Sequence, residues 1–294
     1  MISSAEMSHL SERAKCVVSL PDNERISYLT KWMWIYSETA EQIEHICRRM
    51  LSINHPSQAP CLLVIGPSGI GKTSLMGYLQ QHVFPKNRSV IFFDSRRCLT
   101  YKSFLLKFAQ QLNIGVSEHS RQTCGELEVE LDTACRLCGL KCLIVDNIHD
   151  LMRGSRNDQR NVLTFLRELS ASNHPVSLFC FAVDKFAIAL RSDEQLEGRF
   201  TVYSVPLWKS NAELVSFLCT LESELPLKKP SDLASAKKIE FLLQHSGGIT
   251  KKIVEAIKHA AIAAITSQQE KITLDSLRLG GRKPFQQSNW NPDE

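Results

Sequence analysis

Five short apolar runs recur along the middle of the chain, and segments with helically spaced apolar residues lie between them. The runs lie at residues 61–66, 89–95, 141–148, 176–183 and 201–208. Runs that are apolar at successive positions suit strands whose two faces are both covered. Strands that alternate with helices are typical of a parallel sheet with helices on both faces. The pattern therefore predicts an α/β fold with a five-stranded parallel sheet.

Helical patterns without strands lie on either side of this alternation. Residues before about 50 have apolar positions at helical spacing, and a polar, proline-containing break follows at 53–60. After Trp208 only helical patterns remain, up to a polar end. We therefore expect an N-terminal helical extension at 1–50, an α/β core at 51–208, a small helical lid at 209–279 and a mobile tail at 280–294.

Composition is that of a packed globular protein. Of 294 residues, 43% are hydrophobic and 22% are charged, which does not suit disorder. The net charge of +4 neither requires nor excludes nucleic acid, because a basic stripe can lie on a nearly neutral protein. No apolar run reaches the ~18 residues of a membrane-spanning helix, and the N-terminus lacks the apolar segment of a signal peptide. We therefore expect a cytoplasmic protein with no membrane partner.

Residues 66–73, GPSGIGKT, match the phosphate-binding pattern G-x-x-x-x-G-K-[ST] between a strand and a helix. The glycines allow backbone amides to turn toward phosphate oxygens, and the helix start adds its positive dipole end. Lys72 is predicted to reach the β- and γ-phosphates of ATP, and the Thr73 hydroxyl to bind Mg²⁺. The predicted nucleotide-binding residues of this segment are Gly66, Pro67, Ser68, Gly69, Ile70, Gly71, Lys72, Thr73 and Ser74.

Asp146 ends the apolar run LIVD and is predicted to hold Mg²⁺ together with Thr73, through water. Most ATPases of this kind have a glutamate at the next position, which polarises the attacking water, whereas this chain has Asn147. Asparagine can orient a water but cannot take its proton at neutral pH. Val183 stands at the end of the next run, where a polar residue usually contacts the γ-phosphate. The pattern therefore predicts ATP binding with slow or absent hydrolysis.

The order of these motifs resembles the TniB family and its relative TnsC, over about residues 10 to 279. The similar segments are PDNERISYLTKWMWIY, LLVIGPSGIGKTSLM, LIVDNIHDLMRGSRNDQRNVLTFLREL, LRSDEQLEGRFTVYSVPLW and LPLKKPSDL. The resemblance implies an AAA+ P-loop ATPase that regulates DNA transposition, forms rings or helical filaments on double-stranded DNA, and recruits a transposase to a target. The implied partners are duplex DNA, further copies of the chain, a DDE-type transposase of the TniA/TnsB kind and a targeting adaptor of the TniQ kind.

The same resemblance suggests roles for residues outside the loop. Arg199, in EGRF, matches the arginine finger that reaches a neighbouring subunit's γ-phosphate, although it could be an ordinary surface arginine. Lys251 or its neighbour Lys252 matches a second sensor of the phosphates, or is a solvated lysine. Ile35 and Tyr36 lie where relatives pack the adenine, or belong to a core. The family has DE where this chain has Asp146 and Asn147, and a threonine near Val183.

Basic residues cluster after the second and third apolar runs, in regions that face the central pore in relatives. The candidates for DNA-phosphate contacts are Arg96, Arg97 and Lys102 in the first cluster and Arg153, Arg156 and Arg160 in the second. A solvated charged face is the alternative.

Two other functions remain open at this point. One is an AAA+ replication initiator or clamp-loader-like ATPase, although initiators usually add a DNA-binding domain that the residues after Leu279 are too few to form. The other is a P-loop enzyme acting on a small substrate, for which the chain has no evident acid and base set.

Overall fold

The computed structural model describes residues 7–31, 33–52, 58–85, 87–117, 120–171, 173–191 and 197–280. It divides into two compact units. The core unit runs from Thr39 to Pro206, and the helical unit contains the described residues up to Glu38 and from Leu207 onward. Within the described ranges, no helix is long and apolar enough to cross a membrane. Apart from Gly280, the predicted tail lies outside the described residues.

The core unit contains a five-stranded, all-parallel sheet in the order β2-β3-β4-β1-β5, which confirms the predicted fold. The three inner strands are buried along their whole length, whereas the edge strands β2 and β5 are partly exposed. The uniformly apolar runs thus become inner strands with both faces covered. The strands are β1 (Cys61–Ile65), β2 (Val90–Asp94), β3 (Cys142–Asp146), β4 (Ser177–Ala182) and β5 (Phe200–Ser204).

Helices connect these strands and also make up the helical unit. In chain order they are α1 (Glu12–Val18), α2 (Asp22–Thr30), α3 (Glu38–Ser52), α4 (Lys72–Tyr78), α5 (Tyr101–Gln111), α6 (Cys124–Leu137), α7 (Arg156–Ser170), α8 (Asp184–Leu190), α9 (Ala212–Ser223), α10 (Ala236–Ser246), α11 (Thr250–Thr266) and α12 (Leu274–Gly280). Capping boxes begin α5 and α6, where Thr100 and Thr123 accept hydrogen bonds from the third helical N–H. These local bonds help to fix where each helix starts after its strand.

The helical unit joins the N-terminal helices to those that follow the sheet. The fully buried Arg25 of α2 pairs with Glu270 through both terminal nitrogens, and it also donates to the Pro226 carbonyl at 2.7 and 3.1 Å. A buried guanidinium requires such partners, because an unpaired buried charge is strongly destabilising. The helices before Thr39 thus belong to the same unit as the helices after Pro206, whereas the sequence predicted a separate N-terminal extension. A helical region after the sheet is present as predicted.

Candidate nucleotide-binding site

The phosphate-binding loop leaves β1 at its carboxyl end and enters α4 directly. Gly69 and Gly71 have φ angles of 84° and 112°, in the left-handed region that favours glycine. Gly71 is the last residue before α4 begins at Lys72. The two glycines thus allow the reversal that the loop needs to wrap around a phosphate group.

Lys72 is folded over this loop. Its side-chain Nζ donates to the carbonyls of Gly66 at 2.6 Å and Pro67 at 3.0 Å, and the residue is only 9% exposed. Burial lowers the pKa of Lys72, while the negative charges of Asp146 and Asp184 act to raise it. A cation held over a glycine loop, among backbone carbonyls, is placed to bind the phosphates of a nucleotide.

Thr73, in the first turn of α4, contacts Asp146, the last residue of β3, while their binding of Mg²⁺ stays a prediction. The Thr73 hydroxyl donates to Asp146 Oδ2 at 2.7 Å, and the Asn147 N–H donates to Oδ1 at 2.8 Å. Burial raises the pKa of the Asp146 carboxyl, and these two hydrogen bonds act against that rise. A hydroxyl beside a buried carboxylate fits Mg²⁺, which takes oxygen ligands and commonly bridges such groups to nucleotide phosphates.

Asn147 has a left-handed backbone, with φ of 56°, and its side chain is already engaged. Its Nδ2 donates at 3.2 Å to Oδ1 of Asp94, the last residue of the neighbouring strand β2. Asp94 also pairs with Arg96 at 2.6 Å. Although burial acts to raise the pKa of Asp94, the hydrogen bonds from Arg96 and Asn147 bring it below its ordinary value. Asp94 is thus a charged residue of the site that sequence reasoning missed.

Two further residues, Val183 and His149, lie just after the carboxyl ends of β4 and β3. Val183 directly follows β4, is half-buried and offers no side-chain hydrogen bond. His149 lies in the short 3₁₀ helix Ile148–Arg153, and its buried Nδ1 has no hydrogen-bond partner among the described residues. Burial lowers the pKa of His149, while Asp150 acts to raise it, and Lys72 and Asp146 are among the charges that affect it. Sequence reasoning missed His149 too, although it stands only two positions after Asn147.

Arg199 lies at the amino ends of the strands, whereas the loop lies at their carboxyl ends. We call these two sides of the sheet its amino edge and its carboxyl edge. It precedes β5, whose first residue Phe200 pairs with Cys61 at the start of β1. Its Nη1 donates to the Arg167 carbonyl at 2.6 Å and to the Ser170 hydroxyl at 2.8 Å, in the last turn of α7. A five-residue strand spans roughly 16 Å, so the structure does not bring Arg199 to the loop of its own chain.

The remaining candidates for nucleotide contacts belong to the helical unit. Lys251 is exposed and pairs with Glu255 at 3.7 Å. Ile35 is buried in the apolar core of that unit, and Tyr36 is 45% exposed. Their predicted role in nucleotide binding stays a prediction.

The two predicted basic clusters lie on adjacent segments, residues 95–102 after β2 and residues 147–160 after β3, which include the first residues of α5 and α7. A Cβ atom added to Gly154 would lie 2.1 Å from the Leu99 carbonyl oxygen, so the two backbones touch there. The Tyr101 N–H also donates to Asp158 Oδ1 at 2.7 Å. We call the two segments together the basic loops.

The basic side chains differ in how free they are to bind a partner. Those of Arg96 and Arg153 are 65% and 75% exposed. Arg97, Arg156 and Arg160 are exposed as well. Lys102 is half-buried, and its Nζ donates to the Ser120 carbonyl at 2.9 Å. The arginines are therefore the better candidates for binding an anionic partner.

Comparison with known proteins identifies both a family and a fold. The model of the family described as "Bacterial TniB protein" matches residues 25–210. No curated protein matches the chain.

Several solved structures share its fold at low sequence identity. The ORC2 protein of Aeropyrum pernix, in ADPNP and ADP complexes, is 16% identical, with a TM-score of 0.62 over 86% of this chain and 70% of that one. The Cdc6p protein of Pyrobaculum aerophilum is 15% identical, with a TM-score of 0.65 over 86% and 69%. The ORC1 protein of Aeropyrum pernix, in complex with DNA, is 15% identical, with a TM-score of 0.63 over 87% and 68%. The chain therefore has the AAA+ fold.

Proposed function

Because this chain belongs to the TniB family, we propose that it is an ATP-dependent regulator of transposition that assembles on duplex DNA and recruits a transposase to a target site. The observation that carries the proposal is the cluster of Lys72, Thr73 and Asp146 beside the glycine loop. Lys72 would bind the β- and γ-phosphates, and Thr73 and Asp146 would hold Mg²⁺, which would neutralise part of the phosphate charge.

Assembly is supported by the position of Arg199. Since Arg199 lies at the amino edge of the sheet, its guanidinium can reach a γ-phosphate only in another copy of the chain. ATP then acts as a bridge between neighbouring subunits in a ring or filament. The transposase of the TniA/TnsB kind and the adaptor of the TniQ kind are proposed from family membership.

DNA binding is proposed for the basic loops. Exposed arginines at residues 96, 97, 153 and 156 lie on two segments whose backbones are in contact. Arginine pairs strongly with phosphate oxygens, and such contacts carry no information about the base sequence. The proposed binding is therefore independent of sequence, and its affinity falls with salt. One protein of similar fold was solved in complex with DNA.

Hydrolysis is proposed to be slow. Asn147 can hold a water but cannot accept its proton, and Val183 adds no hydrogen bond at the γ-phosphate. Asp184, whose charge acts to raise the pKa of Lys72, and Asp150 are the alternative carboxylates. ATP therefore works chiefly as the ligand that holds an assembly together.

Electron microscopy with ATP, Mg²⁺ and duplex DNA tests the proposal. We expect rings or filaments that need all three components, and none with Lys72→Ala. Lys141→Ala, which changes an exposed lysine at the amino edge of the same sheet, serves as the matched control. If the protein assembles without nucleotide, or if Lys72→Ala assembles as well as the wild type, the nucleotide site has no role in assembly.

The fold similarity to the ORC and Cdc6 structures also supports a second candidate, an initiator-like ATPase of replication. Equal assembly on unrelated duplexes, followed by capture of a TniA/TnsB-type transposase, favours the transposition role. A marked preference for one duplex sequence, without transposase capture, favours the initiator role.

A further inference from the structure

Five lysines of the helical unit lie on two segments that are hydrogen-bonded to each other. The Lys229 N–H donates to the Glu270 carbonyl at 3.0 Å, and the Ile272 N–H donates to the Ser231 hydroxyl at 2.9 Å. Lys271 therefore stands between two residues that are bonded to the other segment. The lysines form what we call the lysine patch: Lys228, Lys229, Lys237, Lys238 and Lys271.

The carboxylates that contact these two segments already have internal partners. Glu270 accepts a hydrogen bond from the buried Arg25 at 3.0 Å and pairs with Lys228 at 3.0 Å. Glu222 accepts from the three successive backbone N–H groups of residues 231–233, at 2.6, 2.8 and 2.7 Å. Three exposed lysines of the patch form no ion pair in the described part of the chain: Lys229, Lys237 and Lys271.

The start of α10 adds positive charge to the patch. Lys237 and Lys238 stand in its first turn, which contains no acidic residue, although the helix dipole favours anions there. The Lys238 side chain is half-buried, and its Nζ donates to the Asp232 carbonyl at 3.3 Å. Burial lowers the pKa of Lys238, Asp232 and Glu222 act to raise it, and the charge of Lys271 acts to lower it. Lys271 is thus close enough to Lys238 for the two charges to repel each other.

We propose that the lysine patch is a second DNA-binding surface, which contacts the phosphate backbone of the duplex. The proposal rests on the proposed function and gives the helical unit a share in DNA binding. Neighbouring cations without acidic partners attract a polyanion, because its charges relieve their repulsion. Lysine is a flexible point charge, so it neutralises phosphates without reading bases.

Duplex DNA fits this surface better than an acidic protein segment does. The basic loops are already proposed to bind the same duplex, so the patch requires no further partner. DNA carries one negative charge per ~1.7 Å of its axis, and lysines spread over two segments can each find a phosphate. Every such contact releases counterions, so it contributes to the salt dependence of binding.

The test measures duplex binding by the full chain at several salt concentrations. The patch variant lacks the three unpaired lysines: Lys229→Ala/Lys237→Ala/Lys271→Ala. The control variant loses the same number of exposed positive charges elsewhere: Arg136→Ala/Lys141→Ala/Lys209→Ala. The patch variant should lower the salt slope by about two to three units, one for each lost contact, whereas the control keeps the wild-type slope. A wild-type slope in the patch variant would overturn the proposal.

A charge-keeping variant separates phosphate contacts from an effect on the fold. If all three lysines are replaced by arginine, the wild-type slope should remain, and thermal melting should match the wild type. An arginine variant with the low slope of the alanine variant would contradict the proposal, because the positive charges are still present.

Competition with polyglutamate distinguishes the two kinds of polyanion. We expect duplex DNA to displace polyglutamate from the wild-type protein, and the patch variant to bind the duplex more weakly. If the patch variant loses binding of polyglutamate but not of the duplex, the patch serves an acidic protein segment and the DNA proposal is wrong.

The two proposals fail in different ways. If the wild-type protein does not bind duplex DNA, the proposed function fails and the lysine patch fails with it. If the wild type binds the duplex and Arg153→Ala weakens binding, while the patch variant binds like the wild type, only the lysine patch is wrong.

Discussion

The two edges of the central sheet carry different parts of one proposed nucleotide site. At the carboxyl edge, Lys72 donates hydrogen bonds to two loop carbonyls, and the Thr73 hydroxyl donates to Asp146. At the amino edge, Arg199 is bonded to the end of α7, roughly a strand length away. One chain thus provides the proposed phosphate-binding half, whereas the proposed arginine finger would come from another copy.

The carboxyl edge has the groups expected for nucleotide binding but not those expected for hydrolysis. The groups proposed to bind phosphate and metal are present, whereas Asn147 stands where a glutamate would activate water and Val183 where a polar residue would contact the γ-phosphate. Binding and hydrolysis therefore depend on different residues of the same edge, and substitutions can separate them.

The largest expected effect is the loss of ATP binding in Lys72→Ala. The substitution removes a buried ammonium that is held among loop carbonyls, so the phosphates lose their direct cationic partner. Truncating one partner of a buried charge pair commonly costs ~10²- to 10³-fold in affinity, and a nucleotide titration measures it. Lys141→Ala should bind ATP like the wild type. Unchanged affinity in Lys72→Ala would show that the carboxyl edge is not the binding half.

Asn147→Glu should raise ATP turnover by ~10²-fold, the usual effect of one well-placed polar group. The new carboxylate can take the proton of the attacking water, which the amide cannot. Asn147→Gln, which has the length without the charge, is the control and should bring no gain. The measurement is a steady-state ATPase assay with DNA present.

A wild-type rate already near ~1 s⁻¹ would contradict the claim that the hydrolytic groups are missing. In that event Asp150→Ala and Asp184→Ala would show whether a neighbouring carboxylate supplies the function.

Arg199→Ala should weaken ATP-dependent assembly by about tenfold or more, while ATP binding by a single chain is kept. The removed guanidinium would no longer reach the neighbour's γ-phosphate. The same side chain also bonds the last turn of α7, so thermal melting must accompany the assay. A mixture of the Arg199→Ala and Lys72→Ala variants tests whether one site uses residues of two chains. The Arg199→Ala chain contributes an intact loop with Lys72, and the Lys72→Ala chain contributes an intact Arg199. If the two variants associate no better in the mixture with ATP than Arg199→Ala does alone, Arg199 has no role in a neighbour's site.

The smallest expected effects belong to the basic loops. Arg153→Ala and Arg156→Ala should each weaken DNA binding severalfold and lower the salt slope by about one unit, without changing sequence preference. Lys102→Ala should have less effect, because its Nζ is already bonded to Ser120. Arg136→Ala, at an exposed arginine of α6, is the matched control. Losses confined to particular DNA sequences would mean that these arginines read bases.

Local sequence was sufficient to predict the sheet and the phosphate-binding loop. The apolar runs predicted all five strands, two of which are partly exposed edge strands, and the loop depends on glycines and a lysine at fixed spacing. Asp146 was predictable because the carboxyl ends of parallel strands meet at one edge. The same argument applied to Asp94 could have identified it, since it ends the neighbouring strand β2.

The sequence by itself therefore determined the fold, the family and the residues of the phosphate-binding loop, because these follow from short patterns read along the chain. Only the tertiary structure decided which distant residues meet. Asp94 contacts Asn147 because β2 pairs with β3, and Arg199 lies at the amino edge because β5 pairs with β1 in parallel. Arg25 pairs with Glu270 across most of the chain. Such contacts depend on strand order and on the pairing of buried charges, which no local spacing encodes.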